Sequence, residues 1–212
     1  MRLTKSLDAR LQELVSDLHA QTGNGRKLVA IAGAPASGKS LLGAALRDAL
    51  CNKGVRAELV PMDGFHLDNR ILDLCGLRAR KGAPETFDVA GFISLVRRLR
   101  YEDDVYYPLF DRARDLSIAG AGVITSDCEI VIIEGNYLLF DADPWSDLAG
   151  RWDLSIWLNT PEEVIVRRCI DRWLSHGFDR DAARQRAEGN DLINARRILA
   201  ARLPADISLS DE

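Results

Sequence analysis

The stretch "LVAIAGAPASGKSLLGAAL", residues 28–46, runs from an apolar segment through a glycine-rich turn into a helical pattern. The turn, residues 33–40, fits G-x-x-x-x-G-K-[ST], in which backbone N–H groups and a lysine surround a phosphate. Its glycines allow successive N–H groups to point inward, and the following helix directs its positive end at the same place. The stretch therefore predicts a nucleotide-phosphate site, here called the cradle, between a strand and a helix of an α/β fold.

The roles predicted within the cradle follow from what bound phosphates require. Lys39 is expected to reach the outer phosphates, and the Ser40 hydroxyl is expected to face Mg²⁺. The expected cofactors are therefore ATP and Mg²⁺. The residues assigned to nucleotide binding are Gly33, Ala34, Pro35, Ala36, Ser37, Gly38, Lys39, Ser40 and Leu41.

Length and composition favour one globular domain, because 212 residues can bury a sizeable core and the share of hydrophobic residues, 47%, is ordinary. The net charge of −4 argues against a nucleic-acid partner, and no apolar run reaches the roughly 18 residues of a membrane span. The four cysteines form no C-x-x-C pair, which suits a reducing, cytoplasmic location. A homodimer is compatible with the sequence, which leaves the oligomeric state open.

The order of elements predicts a parallel sheet with helices on both faces. Apolar runs predict strands at residues 28–32, 55–62, 129–133 and 153–158. Helical patterns are found at residues 3–18, 40–52, 88–100 and 160–175, and a very polar helix follows residue 179. Residues 64–88 are expected to be irregular, and residues 101–127 loop-like with one or two short strands. Asp88 and Thr160 are the expected N-terminal caps of their helices.

Two carboxylates fall at the carboxyl ends of predicted strands, where ligands gather in such sheets. Asp63 follows a strand that is expected to lie beside the strand of the cradle. A carboxylate there can accept the proton of an attacking hydroxyl or help to order Mg²⁺. Glu134 ends the most apolar run and suits holding Mg²⁺ and its waters. The predicted metal site therefore consists of Ser40, Asp63 and Glu134.

The same cradle serves GTPases, motor ATPases and small-molecule kinases. The Asn-Lys-x-Asp guanine motif is missing, because Asn52-Lys53 continues as Gly54-Val55. A motor ATPase usually ends its central strand with Asp-Glu, whereas Glu134 stands without a second carboxylate. These observations favour a kinase that transfers the γ-phosphoryl group to a hydroxyl. An ATP-binding regulatory switch and a nucleoside-triphosphate hydrolase remain alternatives, and a switch would have no need of a base such as Asp63.

Residues 28–172 resemble the family of phosphoribulokinase, uridine kinase and bacterial pantothenate kinase. The resemblance rests on "DGFHLDN" (63–69), "GLRARKGAPETFD" (76–88) and "VIIEGNYLL" (131–139), which are nearest to pantothenate kinase. The chain is also similar to small bacterial proteins labelled as fructose-transport-associated or nucleoside kinases. The resemblance implies a P-loop NTPase fold with a small helical lid, and one kinase domain over residues 1–212. An acceptor-side insertion is expected at about 64–127 and the lid at about 173–190.

The resemblance also implies site roles. Asp63 corresponds to the catalytic base, Lys39 and Ser40 to the phosphate and metal groups, and Glu134 to the strand-end carboxylate. Arg112 stands where pantothenate kinases have a histidine, which disfavours pantothenate, and the sequential pair of Asp111 and Arg112 suits a sugar or an anionic acceptor. The residues expected to contact the acceptor are Asp63, His66, Arg80, Lys81, Arg112 and Glu134. A structural His66 and a solvated basic loop at residues 78–82 are the alternatives.

Two arginines on the helix after Thr160 are expected to be catalytic. Arg168 and Arg172 are four residues apart and share one helix face, where an anionic partner would offset their repulsion. In the family, such a helix leads into a lid whose arginines close on the transferring phosphoryl group. A solvated basic face is the alternative interpretation. Residues 179–188 would complete the lid, and residues 189–195, "GNDLINA", resemble a stretch that approaches the adenine in relatives.

Overall fold

The computed structural model describes residues 5–23 and 25–210. Within them the helices are α1 Lys5–Ala20, α2 Lys39–Asn52, α3 Asn69–Leu74, α4 Val89–Arg98, α5 Glu162–Ser175, α6 Arg180–Arg186 and α7 Leu192–Ala200. The strands are β1 Lys27–Gly33, β2 Ala57–Pro61, β3 Val105–Asp111, β4 Leu116–Ile124, β5 Ile130–Gly135, β6 Leu154–Asn159 and β7 Ile207–Ser210. Two predicted positions, Leu3 of the first helix and Asn24 of the break after it, lie outside the described residues.

The main sheet has the order β2-β5-β1-β6-β7, and all its pairings are parallel. Helices α1 and α2 pack on one face, and α4 packs on the other with the segment 137–148. The predicted α/β class is therefore confirmed. One predicted neighbour relation is wrong, because β5 lies between the strand of Asp63 and the strand of the cradle. Every residue of β5 is buried while β2 is partly exposed, so the more apolar strand takes the inner position.

The acceptor-side segment is more ordered than its sequence predicts. Strands β3 and β4 form an antiparallel hairpin with a break between Tyr107 and Leu109, where Pro108 has no N–H to donate. Strand β4 is largely exposed and contains two glycines. Its sequence therefore lacks the alternation of apolar and polar residues that is typical of a strand. Helix α3 also forms inside the segment that was expected to be irregular, and Asp68 caps it. The sequence predicts neither α3 nor the nine-residue length of β4.

The two cap predictions have opposite outcomes. The Asp88 carboxylate accepts a hydrogen bond from the Gly91 N–H at 2.9 Å, so this cap is confirmed. The Thr160 cap is wrong, because α5 begins at Glu162 and its preceding residue, Pro161, has no capping side chain. The Thr160 hydroxyl instead donates to the Ser37 carbonyl at 3.4 Å. Its partner is thus the backbone of the cradle, which ties the start of α5 to the phosphate site.

None of the helices in the described ranges is long and apolar enough to cross a bilayer.

We expect the four cysteines to differ in reactivity toward a thiol reagent at pH 8. Cys51 and Cys75 are exposed, whereas Cys128 and Cys169 are buried. Burial raises the pKa of Cys128 to about 11 and the pKa of Cys169 to about 12, so neither forms the reactive thiolate. Mass spectrometry after brief labelling should find the exposed pair modified in the native protein and all four after denaturation. Labelling of Cys169 as fast as Cys75 would contradict this packing.

Candidate functional site

The cradle turn joins β1 to α2 with a backbone that few side chains allow. Gly38 has a φ of +102°, and Ala36 also has a positive φ, +59°. A Cβ added at Gly33 would lie 2.8 Å from the Ser37 hydroxyl and 3.0 Å from the Leu158 carbonyl oxygen. The turn is therefore tightly wound at both glycines of the motif. This closed shape, followed directly by the first turn of α2, fits the binding of a phosphate chain.

The side chain of Lys39 is buried within this turn. Its Nζ donates hydrogen bonds to the Ala34 carbonyl oxygen at 2.7 Å and to the Ser37 hydroxyl at 3.4 Å. Burial lowers the pKa of Lys39 to about 8, although the negative charges of Glu134 and Asp63 act in the opposite direction. The ammonium group is thus held over the cradle, away from bulk water, where its charge acts strongly on an anion.

Ser40 and Glu134 form an oxygen pair beside the cradle. The Ser40 hydroxyl donates to Oε1 of Glu134 at 3.0 Å, and Glu134 ends β5 with only 7% of its surface exposed. Burial raises the pKa of the Glu134 carboxyl, and the charge of Asp63 acts in the same direction. A hydroxyl and a carboxylate at the edge of a phosphate site are donors that fit Mg²⁺, which uses few protein ligands alongside phosphates.

Asp63 lies in a short turn directly after β2 and is paired with Arg112. Nη2 of Arg112 donates to Oδ2 of Asp63 at 2.6 Å, with 60% of the Arg112 side chain and 25% of the Asp63 side chain exposed. Gly64 allows the β3–β4 hairpin to pack closely against this turn, because a Cβ at Gly64 would collide with the Pro108 carbonyl of the hairpin. Asp111 binds Arg114 at 2.7 Å, and the expected contact of Asp111 and Arg112 with an acceptor stays a prediction. The hairpin therefore presents Arg112 to the candidate base.

His66 is clamped between two aromatic rings. Its ring centroid lies 4.1 Å from that of Phe87 and 4.7 Å from that of Phe110, and its Nδ1 lies 2.8 Å from the Asp63 carbonyl oxygen. Burial lowers the pKa of His66, although the charge of Asp63 opposes this. A neutral, fixed ring next to Asp63 suits both the structural and the acceptor-binding interpretation, so the predicted contact with the acceptor stays a prediction.

The basic loop at residues 78–82 is bound to the rest of the protein. Nζ of Lys81 lies 2.7 Å from Oδ1 of Asn69 and 2.8 Å from a carboxylate oxygen of Asp115. Arg80 donates to Oδ1 of Asn194 at 3.2 Å. Only 13% of the Lys81 side chain is exposed, which disfavours the solvated-loop alternative for this residue. The contact of Arg80 and Lys81 with an acceptor stays a prediction.

The two predicted catalytic arginines on α5 have different partners. Nη1 of Arg168 donates to the Ser37 carbonyl of the cradle at 3.2 Å. Nη2 of Arg172 pairs with Oδ2 of Asp191 at 2.8 Å. Both guanidinium groups therefore engage specific protein oxygens, and Arg168 directly contacts the phosphate-binding turn.

The predicted lid is a helical corner. Helix α6 continues through a π-helical turn, Ala187–Asp191, into α7. The Arg186 guanidinium stacks over the rings of Trp173 and Phe178 at 4.9 and 4.7 Å. The side chain of Asn190, in the stretch expected near the adenine, donates to the Lys81 carbonyl at 2.8 Å. This stretch therefore packs on the basic loop, and its role toward the adenine stays a prediction.

The sequence does not single out one buried carboxylate of this region. Asp191 falls within the stretch 189–195 that resembles an adenine-approaching segment, yet it is 7% exposed and binds Arg172. The available signal is an acidic residue that follows the arginines of α5 after a helical break, which is too common a pattern to identify a contact.

Comparisons with known proteins agree with this geometry. A sequence model described as "Phosphoribulokinase / Uridine kinase family" matches residues 28–189. The "Putative uridine kinase C227.14" of Schizosaccharomyces pombe is 37% identical, over 80% of this chain and 76% of its own length. The "Uncharacterized protein YggC" of Escherichia coli K12 is 38% identical, over 67% of this chain and 59% of its own length.

A solved structure covers nearly the whole chain. It is that of the "putative fructose transport system kinase" from Silicibacter sp. TM1040, which is 54% identical to this chain with a TM-score of 0.90. The match covers 97% of this chain and 100% of that one. The chain therefore has a P-loop kinase fold and belongs to the phosphoribulokinase/uridine kinase family, whose members phosphorylate small metabolites.

Proposed function

We propose that this protein is an ATP-dependent phosphotransferase that moves the γ-phosphoryl group to a hydroxyl of a small metabolite in the cytoplasm. The observation that carries the proposal is the grouping of Lys39, Asp63 and Glu134 at the carboxyl ends of neighbouring strands, within electrostatic range of one another. A phosphate cradle accounts for nucleotide binding alone. A carboxylate opposite the cradle, on the side of the β3–β4 hairpin, is what a transfer reaction additionally needs.

The cradle would bind the triphosphate through its backbone N–H groups and the Lys39 ammonium. Ser40 and Glu134 would hold Mg²⁺, which neutralises developing charge on the phosphates when it is bound. Asp63 would orient the acceptor hydroxyl and accept its proton as the new oxygen–phosphorus bond forms. The bond between the γ-phosphorus and the bridging oxygen breaks in the same step, its electron pair stays on that oxygen, and ADP leaves. Arg168, anchored at the cradle, would stabilise charge on the transferring group.

The acceptor side favours a polyhydroxy compound, with or without an anionic group. Arg112 offers a guanidinium next to Asp63, and guanidinium groups bind carboxylates and phosphates in a bidentate manner. The names of the similar proteins point to a nucleoside or to fructose as the acceptor type. A sugar, a nucleoside and a pantothenate-like alcohol are therefore the acceptor classes to be compared.

The test is a screen of sugars, nucleosides and pantothenate with ATP and Mg²⁺, read by product mass. A phosphorylated acceptor, formed by the wild-type protein and not by the Asp63→Asn variant, is the expected result. ATP turnover that no acceptor accelerates, with only inorganic phosphate as product, would instead identify a hydrolase. Tight ATP binding without turnover would identify a switch.

Replacing Arg112 by alanine is expected to raise the KM of the acceptor about tenfold and to change the KM of ATP little. A hydrogen bond to a charged group contributes about 1.5–3 kcal/mol, and the exposure of Arg112 places this site at the low end. Steady-state kinetics with the acceptor found in the screen measures both constants. The control is Arg114→Ala, which removes a nearby hairpin arginine that pairs with Asp111. An unchanged acceptor KM in Arg112→Ala would show that this arginine does not bind the acceptor.

Replacing Arg168 or Arg172 by alanine is expected to lower kcat more than it raises the KM of ATP. The charge that these groups stabilise is largest in the transition state, so their loss is felt mainly after ATP has bound. The expected loss is at least tenfold in each variant, by analogy with donors to a developing charge that contribute about 10²–10³. Arg167→Ala, an exposed neighbour on the same helix, is the control. A wild-type kcat in both variants would show that these arginines do not act on the transferring phosphoryl group.

A further inference from the structure

Asp191 is a carboxylate in an unusual position. Within the described ranges, only Glu134 and Asp191 are buried acidic residues, and Asp191 ends the π-helical turn between α6 and α7. A π turn inserts one extra residue into a helix and occurs frequently at functional sites. Here the wider turn lets the consecutive residues Asp191 and Leu192 both face the interior, where they are 7% and 5% exposed. The turn therefore holds a carboxylate in the interior beside an apolar side chain.

The carboxylate of Asp191 is surrounded by groups on α5. Its Oδ2 accepts from Nη2 of Arg172 and from Nε1 of Trp173, each at 2.8 Å. The buried Cys169 thiol also faces it, and the charge of Asp191 adds to burial in raising the pKa of that thiol. A buried carboxylate with a charged donor and a second N–H donor has few alternative positions. The guanidinium of Arg172 is thereby held in one orientation.

This part of α5 is anchored on the cradle. Thr160 and Arg168 both donate to the Ser37 carbonyl, and Ala34 of the cradle packs in one apolar cluster with Ile165 and Cys169. Arg172 follows Arg168 by about one helical turn, so both project from the same face. The helix therefore carries Arg172 close enough to the cradle for its charge to act on Lys39, while its guanidinium is bound by Asp191.

The residues on either side of Asp191 are bound to the basic loop. Asn190 donates to the Lys81 carbonyl at 2.8 Å. The Asn194 side chain donates to Oδ1 of Asn190 and accepts from Arg80, each at 3.2 Å. Asn194 is 1% exposed, so the centre of this network is shielded from water. The backbone that carries Asp191 is thus fixed from two sides, which limits the freedom of the carboxylate further.

We propose that Asp191 is a positioning residue, which holds the Arg172 guanidinium in the orientation that stabilises the transferring phosphoryl group. The inference rests on the proposed function, since it requires phosphoryl transfer at the cradle. It differs from a purely structural ion pair in one measurable respect. A structural pair contributes to stability alone, whereas a positioning pair also decides how strongly the protein prefers the transition state over the ground state.

The test compares two probes that need no acceptor. ADP with Mg²⁺ reports ground-state binding, and ADP with Mg²⁺ and aluminium fluoride imitates the transferring phosphoryl group. Calorimetry measures both affinities for the wild type, Asp191→Asn, Arg172→Ala and the double variant. Asparagine keeps the shape of the side chain and can still accept from Trp173, but it has no charge for Arg172. The control is Asp206→Asn, which changes a hydrogen-bonded carboxylate beside Ser155, near the opposite end of β6.

Asp191→Asn is expected to weaken binding of the fluoroaluminate complex about 10²-fold, the cost of a catalytic group misplaced by about an ångström. ADP affinity should stay within about threefold, and the double variant should be no weaker than Arg172→Ala, because both changes remove one interaction. Asp206→Asn should bind both probes like the wild type. If Asp191→Asn does not fold, the double variant, which leaves no unpaired charge, is used instead. Its affinities for both probes are then compared with those of Arg172→Ala.

Two results would overturn the inference. In the first, Asp191→Asn binds the fluoroaluminate complex as tightly as the wild type and only melts at a lower temperature. In the second, the losses in the double variant add, which would mean that Asp191 acts without Arg172. A wild-type protein that does not prefer the fluoroaluminate complex over ADP would instead count against phosphoryl transfer itself. Failure of the proposed function is thereby distinguished from failure of the positioning role.

Discussion

A Lys39→Ala protein is expected to fold and to transfer phosphate at least about 10³-fold more slowly than the wild type, since single groups that stabilise phosphoryl-transfer charge contribute about this much. The ammonium group is buried at the cradle, where low polarity strengthens its attraction to phosphate oxygens. Alanine cannot replace that charge. ATP affinity should fall as well, because Lys39 is expected to contact the phosphates before transfer begins.

The fold should survive this change. Burial lowers the pKa of Lys39, which means that the folded protein disfavours its charged form and loses little when the charge is removed. Alanine also suits the first turn of α2. Thermal melting checks the fold, and product formation with the acceptor from the screen measures the rate. Lys53→Ala, at the exposed end of the same helix, is the matched control and should keep wild-type turnover. Near-normal transfer by folded Lys39→Ala would refute the cradle assignment.

The Asp63→Asn variant is expected to lose about 10²–10⁴ in kcat, the usual contribution of a general base. Asparagine keeps the size of the side chain but cannot accept the proton of the acceptor hydroxyl. The transition state of phosphoryl transfer is loose, so part of the loss would reflect a poorly oriented hydroxyl rather than delayed deprotonation. ATP binding should change only modestly, because Ser40 and Glu134 remain in place.

The carboxylate of Asp63 also binds Arg112, and the variant leaves that arginine without its charged partner. Asp73→Asn is therefore a suitable control, since it removes an exposed carboxylate that pairs with Arg78 in the same segment. It should leave kcat unchanged. Steady-state kinetics gives the rates, and calorimetry with ATP gives the affinity. Transfer at the wild-type rate by Asp63→Asn would make Asp63 a turn residue and would reopen the switch and hydrolase alternatives.

Much of the fold could be predicted because it depends on neighbouring residues. The glycines and Lys39 of the cradle, the apolar run of β5 and the Asp88 cap act over a few positions along the chain. Their patterns predict a turn, a strand and a helix start directly. The hairpin of β3 and β4 was harder, since its strands stabilise each other across the turn and carry little alternation of their own.

The partners within the candidate site depend on distant residues. Ser40 and Glu134 are 94 positions apart, and Arg112 and Asp63 are 49 apart. Strand order decides the first pair, and hairpin packing decides the second. Thr160 illustrates the same effect. Its local sequence favours a helix cap, but its hydroxyl instead donates to a cradle carbonyl that folding brings near. Local sequence patterns indicate which residues belong to the candidate site, whereas tertiary packing determines which of those residues contact each other.

The sequence by itself therefore determined the α/β class, the cradle between β1 and α2, and the candidate carboxylates Asp63 and Glu134. Their signals are local, since each depends on a turn, a strand end or a helix start. Only the tertiary structure decided that β5 separates β2 from β1, that Arg112 faces Asp63, and that Asp191 holds Arg172. Those relations arise because strands and helices pack so that their apolar surfaces are covered and their buried charges are paired. This packing depends on residues far apart in the chain, so no short sequence pattern predicts it.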